Sequence, residues 1–131
     1  MSLIGGHIQS ADWKAEKHVP VIEVKGPVKK GEPFQVQLSV GVEIAHPHTT
    51  EHHIRYILLY FKPEGEKFIV HLGSFNFEAH GESAEGPNAG SAKCEPKVTA
   101  TVTVEKPGEL VALSYCNIHG LWDNSEKVAL S

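Results

Sequence analysis

Four of the nine histidines in this sequence fall within eight residues. They are His46, His48, His52 and His53. Imidazole is the commonest side-chain ligand of metal ions in proteins. Each of these histidines, taken alone, is more often a surface or hydrogen-bonded residue than a ligand. Four together are hard to explain by packing, so the cluster predicts a metal site.

Two further segments could complete such a site. His18 lies near the N-terminus, and Cys116 and His119 form a Cys-x-x-His motif short enough for both side chains to reach one centre. A thiolate adds a soft, anionic donor to the imidazoles. His52 and His53 are adjacent at the start of a predicted strand, so their side chains point to opposite faces. At most one of the two is therefore expected to face a given metal.

The donor types do not by themselves name the metal. Structural zinc sites usually show paired Cys-x-x-Cys or His-x-x-x-His spacings, and this sequence has no Cys-x-x-Cys. A blue-copper site also suits a β-sandwich, but Met1 is the only methionine, so a glutamine would have to replace the usual axial ligand. Several histidines with one thiolate suit iron, since a thiolate pushes electron density toward a bound oxygen species. A cupredoxin-like electron-transfer protein and a structural zinc domain stay open as alternatives at this point.

The elements that must position these residues are predicted to be β-strands. Residues 34–42 and 98–104 alternate apolar and polar side chains, which is the pattern of half-buried strands. Gly- and Pro-rich turns separate shorter apolar or β-branched runs at 19–24, 54–61, 68–72, 75–78, 110–116 and 128–130. Seven or eight short strands predict an all-β antiparallel sandwich, whose loops at one end can bring distant segments together. The only helical candidate is a turn near residues 10–17, and the longest loop runs from 80 to about 95.

Composition excludes several other classes of protein. The 131 residues suffice for one domain, and 12 Lys and Arg against 16 Asp and Glu give a formal net charge of −4. This acidic balance argues against a general nucleic-acid binder, and no apolar run approaches the roughly 20 residues of a membrane span. The N-terminus lacks the basic and apolar regions of a secretory signal. The two cysteines, Cys94 and Cys116, are therefore expected in a reducing compartment, the cytoplasm.

Four stretches of the sequence resemble superoxide reductases of the one-iron type, also called neelaredoxins. They are EKHVPVIE (16–23), HPHTTEHHIR (46–55), AHGES (79–83) and SYCNIHGLW (114–122). The similarity begins near residue 13, so we divide the chain into an N-terminal extension, 1–12, and an iron-binding domain, 13–131. The two-iron relatives, the desulfoferrodoxins, carry an extra rubredoxin-like domain with four cysteines, which this sequence is not expected to contain.

The resemblance implies an immunoglobulin-like β-sandwich that binds one iron ion per chain. It also implies one-electron reduction of superoxide to hydrogen peroxide, with electrons from an external donor such as rubredoxin, in a homotetramer. Two charged residues are implied at the iron, Glu16 as the sixth ligand in the ferric state and Lys17 as the cation near the open position. The implied permanent ligands are four equatorial histidines and one axial cysteine: His18, His46, His52, His119 and Cys116.

Two positions depart from the family pattern. His48 stands where the family usually has asparagine, two residues from a proposed ligand. It is interpreted as a surface change, with an extra proton donor or a competing ligand as the alternatives. Cys94 lies in Lys-Cys-Glu-Pro, where relatives often have Tyr-Thr-Glu-Pro, and no catalytic role is assigned to it.

Overall fold

The computed structural model describes residues 2–131, and its regular elements are almost all β-strands. One turn of 3-10 helix spans Ile4–His7. Among the described residues, no helix has the length and apolar character needed to cross a membrane. The eight strands are β1 (Ile8–Ser10), β2 (Pro20–Lys25), β3 (Phe34–Val40), β4 (Ile54–Pro63), β5 (Val70–Asn76), β6 (Lys97–Val102), β7 (Gly108–Cys116) and β8 (Gly120–Val128).

The strands form two sheets. The larger sheet has the order β1-β8-β7-β4-β5, and the smaller one has the order β2-β3-β6. The β1–β8 pair is parallel, whereas the other strand pairs are antiparallel. The prediction of an all-β sandwich with seven or eight strands is confirmed, with one parallel pair added at the edge of the larger sheet.

Alternation along the strands places one row of side chains from each sheet in a shared core. In β3, the residues Phe34, Val36 and Leu38 are buried, and Ile57 and Leu110 of the larger sheet are fully buried opposite them. Full burial of a side chain of this size contributes roughly 1.5–3 kcal/mol relative to leaving it exposed. The core therefore holds the two sheets as a platform for the loops at their ends.

Strand pairing fixes where the functional loops start. Pro20 at the start of β2 pairs with Val40 at the end of β3. Ile54 at the start of β4 pairs with Cys116 at the end of β7, and Cys116 also pairs with Gly120 at the start of β8. The segments that precede β2, join β3 to β4 and join β7 to β8 are thus anchored at strand ends.

Two predicted strands have different bounds in the structure. Strand β8 was predicted only at 128–130, but it spans Gly120–Val128. The runs 68–72 and 75–78 merge into one strand, Val70–Asn76. The turn predicted near residues 10–17 is present, and in it the Asp12 carbonyl accepts hydrogen bonds from the backbone N–H groups of Ala15 (2.9 Å) and Glu16 (3.0 Å).

Candidate metal centre

Donor atoms from three distant segments converge at one point. The ring nitrogens of His18, His52 and His119 and the sulfur of Cys116 all lie within 4.8 Å of one another. His18 Nε2 is 3.1 Å from His119 Nδ1, and His119 Nδ1 is 3.2 Å from His52 Nε2. Cys116 Sγ is 3.8 Å from His119 Nδ1. Three imidazoles and a thiol directed at a common centre are a donor set suited to a soft or borderline metal ion.

His46, on the β3–β4 connection, lies next to this group, although its nitrogens are outside the set of donor atoms that lie within 4.8 Å of one another. Its ring centroid lies 4.8 Å from that of His18 and 4.7 Å from that of His52. Its Nδ1 donates to the carbonyl of Pro47 (2.8 Å), and its Nε2 is buried without a hydrogen-bond partner. Because a carbonyl can only accept, the proton sits on Nδ1 and the lone pair of Nε2 is free.

An unpartnered buried nitrogen is costly unless something else binds it. Burial lowers the pKa of His46 to about 4, against the opposing hydrogen bond to Pro47, so the ring is neutral at physiological pH. Burial likewise lowers the pKa of His52, with a smaller contribution from His119. Metal ligation requires neutral imidazole. The residues present therefore fit a bound metal ion.

The cysteine is held by the β7–β8 hairpin. Cys116 is fully buried at the end of β7. The backbone N–H of His119 donates to its sulfur at 3.4 Å. Three loop residues separate the paired strand residues Cys116 and Gly120, and Gly120 has a φ of 82°, which favours glycine. The tight turn explains why Cys116 and His119 face one centre.

The segment before β2 carries Glu16, Lys17 and His18. Glu16 Oε1 accepts hydrogen bonds from His18 Nδ1 (2.6 Å) and from the His18 backbone N–H (3.1 Å). The side-chain bond is the main reason why the pKa of Glu16 is lowered. It also leaves His18 Nε2 free to face the cluster. Ser114 Oγ donates to the His18 carbonyl (3.0 Å) and ties this segment to β7.

Lys17 supplies positive charge next to the cluster. Its side chain is half-buried. The Lys17 charge contributes to the lowered pKa values of His46 and His52, after burial and other contacts. Such an effect requires proximity, because exposed charges are screened within about 8–10 Å at physiological salt. Lys17 therefore contributes positive potential at the rings of His46 and His52.

The remaining histidines lie outside the convergent set. His53 points away from His52 and stacks on His80, with ring centroids 3.4 Å apart and an interplanar angle of 10°. Both of these rings are buried. His48 Nε2 lies 3.0 Å from Glu95 Oε2. The exposed His71 contacts the Gly73 carbonyl of its own strand (3.1 Å).

The long loop 80–95 braces the histidine-rich loop. Asn88 adopts a positive φ of 65° and its Oδ1 accepts a hydrogen bond from the Thr50 backbone N–H (2.7 Å). Asn88 Nδ2 donates to the Glu51 carboxylate (3.1 Å). These contacts give the loop a supporting role.

Sequence reasoning missed several residues that organise the centre. Asn117 Oδ1 accepts from the His53 backbone N–H (2.9 Å), and Asn117 Nδ2 donates to the Glu51 carbonyl (3.0 Å), so one amide holds the backbone on both sides of His52. Trp122, near the same turn, stacks on His18 with ring centroids 5.2 Å apart. The sequence feature that could have identified Asn117 is its position inside the Cys-x-x-His motif.

Comparisons with known proteins agree with this architecture. A family model described as Desulfoferrodoxin matches residues 10–125. The neelaredoxin of Megalodesulfovibrio gigas is 57% identical over 122 residues, which cover 93% of this chain and 94% of that protein. The superoxide reductase of Pyrococcus furiosus is 55% identical over 122 residues, covering 93% of this chain and 96% of that one.

Solved structures give the same result. A superoxide reductase (neelaredoxin) from Archaeoglobus fulgidus in the reduced form superposes with a TM-score of 0.89 at 50% identity, covering 95% of this chain and 99% of that one. A superoxide reductase in the oxidized state has a TM-score of 0.88 at 53% identity, covering 97% and 100%. The chain therefore belongs to the desulfoferrodoxin family, among its superoxide reductases.

Proposed function

We propose that this centre binds one iron ion and reduces superoxide by one electron, with two protons from solvent, to hydrogen peroxide. The observation that carries the proposal is the convergence of three imidazoles and a thiol on one point, with the unpartnered Nε2 of His46 beside them. The iron, when bound, supplies the one-electron redox couple. Its ligands are four histidines and one cysteine: His18, His46, His52, His119 and Cys116.

Each of the residues around the iron has a separate task. Cys116 supplies an anionic, electron-rich donor, and the N–H of His119 bonded to its sulfur tunes that donor. Lys17 attracts the superoxide anion to the centre through its positive charge. Glu16 is assigned as the carboxylate ligand of the oxidised iron. To take that role it must release His18 Nδ1, whose hydrogen bond it accepts in the described conformation.

The wider assignments rest on the family resemblance and on the chemistry of the site. The electron comes from an external donor, such as a rubredoxin-like protein. The ligating thiol needs a reducing compartment, which supports a cytoplasmic location. The iron-binding domain comprises 13–131, and the extension 1–12 adds the edge strand β1 to it. The assembly is a homotetramer. Sedimentation measurements on the purified protein can determine the number of chains in it.

The test combines metal analysis with spectroscopy of the purified protein. About one iron per chain, with a thiolate-to-iron charge-transfer band that superoxide and dithionite alter, is expected for this centre. The Cys116→Ser variant should lose the band, since the donor of the transition is gone. Lys17→Ala is the matched control, because it should keep its iron and band and react more slowly with superoxide at low ionic strength.

Two results would contradict the proposal. Copper without iron would favour an electron-transfer protein. A charge-transfer band retained in Cys116→Ser would remove the thiolate from the ligand set. A second-order rate unchanged by Lys17→Ala would leave the centre in place and remove only Lys17 from the reaction.

A further inference from the structure

His119 is the most exposed of the five proposed ligands. His18, His46 and Cys116 are buried and His52 is half-buried, whereas His119 is exposed. Packing therefore restrains its ring less than it restrains the others. A ligand in a three-residue turn, with little packing around it, needs another source of order to keep its Nδ1 directed at the centre.

The two peptide groups that flank His119 supply that order. Its N–H donates to Cys116 Sγ (3.4 Å). Its carbonyl accepts two hydrogen bonds, one from Gln9 Nε2 (3.1 Å) and one from Trp122 Nε1 (3.2 Å). With both flanking peptides held, the direction of the Cα–Cβ bond is fixed and only the two side-chain torsions stay free.

Strand β1 is what brings Gln9 to the centre. β1 runs parallel to β8 and pairs Gln9 with Trp122 in register. The two donors thus approach one carbonyl from neighbouring strands, and Trp122 also stacks on His18. Gln9 is one residue before the stretch that the family model matches, 10–125.

We infer that Gln9 and Trp122 are positioning residues, which hold the carbonyl of His119 and thereby keep its Nδ1 directed at the metal. The inference rests on the proposed metal centre. Groups that orient a ligand without touching the metal commonly control how firmly the metal is held. The N-terminal strand is therefore part of the metal centre, although it contributes no ligand.

The test uses Co²⁺ as the metal probe in the full-length protein. Gln9→Met removes the donor at nearly constant size. Gln35→Met is the matched control, since Gln35 is also an exposed strand glutamine and lies on the smaller sheet. Loss of one hydrogen bond between neutral groups predicts a roughly two- to tenfold faster release of Co²⁺ to a chelator from Gln9→Met. Gln35→Met should release Co²⁺ at the wild-type rate.

A second readout separates positioning from general stability. The ligand-field spectrum of bound Co²⁺ reports the arrangement of its donors, so Gln9→Met should change it and Gln35→Met should not. Trp122→Phe keeps an aromatic ring for the His18 stack and removes the indole donor, and the double variant with Gln9→Met should release Co²⁺ faster than either single variant. If Trp122→Phe fails to fold, Gln9→Met alone decides the question.

Release and spectra of Gln9→Met that match those of Gln35→Met would overturn the positioning role and leave the metal centre intact. Failure of the wild-type protein to bind Co²⁺ or iron would instead overturn the metal centre, and this inference with it.

Discussion

His46 shows how a single residue can be prepared for a metal. The fold buries its ring, satisfies Nδ1 with the Pro47 carbonyl and leaves Nε2 without a partner. Burial favours the neutral imidazole and outweighs the hydrogen bond to Pro47, which favours the protonated ring. The unsatisfied nitrogen destabilises the folded apoprotein, and metal binding removes this destabilisation.

His46 should make the stability of the metal-free protein depend on pH. Its pKa of about 4 in the folded chain lies below the 6.5 of an unperturbed histidine. Between these values the unfolded chain binds the extra proton, so the free energy of unfolding falls as the pH falls, by up to about 1.4 kcal/mol per pH unit. The stabilisation is fully present above pH 6.5 and is lost toward pH 4.

Urea unfolding of the apoprotein between pH 4 and 7 measures this effect, with His46→Gln as the comparison. The variant lacks the titrating group and should show a shallower dependence over that window. Identical pH dependences would show that His46 titrates normally in the folded chain.

At the scale of elements, the β7–β8 turn joins the larger sheet to the histidine-rich loop. Asn117 makes this junction: its side chain contacts the backbone of Glu51 and His53, and its own N–H donates to the His53 carbonyl (3.2 Å). These hydrogen bonds continue the β4–β7 pairing one residue beyond Ile54 and Cys116. The amide therefore sets the distance between the loop that carries His52 and the turn that carries Cys116.

Replacing Asn117 should loosen this junction. Asn117→Ala removes two side-chain hydrogen bonds and should lower the free energy of unfolding by about 1–3 kcal/mol. Asn117→Asp keeps the acceptor for the His53 N–H but sets a carboxylate oxygen against the Glu51 carbonyl, which can only accept, so its loss should be at least as large. Denaturant unfolding of the metal-free variants measures both values. Equal stability of Asn117→Ala and wild type would show that the junction does not depend on this side chain.

Strands whose residues alternate between buried and exposed were predictable from the sequence. Strands without this alternation were not. In β3 every inward position from Phe34 to Val40 is apolar, because that strand lies between two others and covers the core. β8 has only Val128 buried, so its sequence carries no alternating signal, and its pairing with β7 and β1 depends on the tertiary fold. β1 is three residues long and at most half-buried, which explains why no sequence pattern predicted it.

The donor residues were predictable for a different reason. Imidazole and thiol are chemically distinctive, and their grouping in three short segments is visible without a fold. The partners of these donors are backbone carbonyls and N–H groups, such as the Pro47 and His119 carbonyls, and every residue type has them. Roles such as that of Gln9 therefore follow only from the tertiary structure.

At the scale of the whole molecule, the centre depends on the core that holds both sheets. Leu110 of β7 is fully buried in that core, whereas Leu3 is 84% exposed. Leu110→Ala should lower the free energy of unfolding by about 2–5 kcal/mol, since it removes buried methyl groups and leaves a cavity. Leu3→Ala makes the same chemical change at the surface and should alter stability by less than about 0.5 kcal/mol. Chemical denaturation compares the two, and similar losses would mean that the core assignment of Leu110 is wrong.

The order in which the ligands are synthesised follows from their positions along the chain. His18 and His119 are 101 residues apart, and Cys116 precedes His119 by three. At 5–20 residues per second, the ribosome needs roughly 5–20 s to pass from the first ligand to the last. During that interval the histidines of the nascent chain exist without the thiolate. The complete donor set therefore exists only after Cys116 and His119 have been translated.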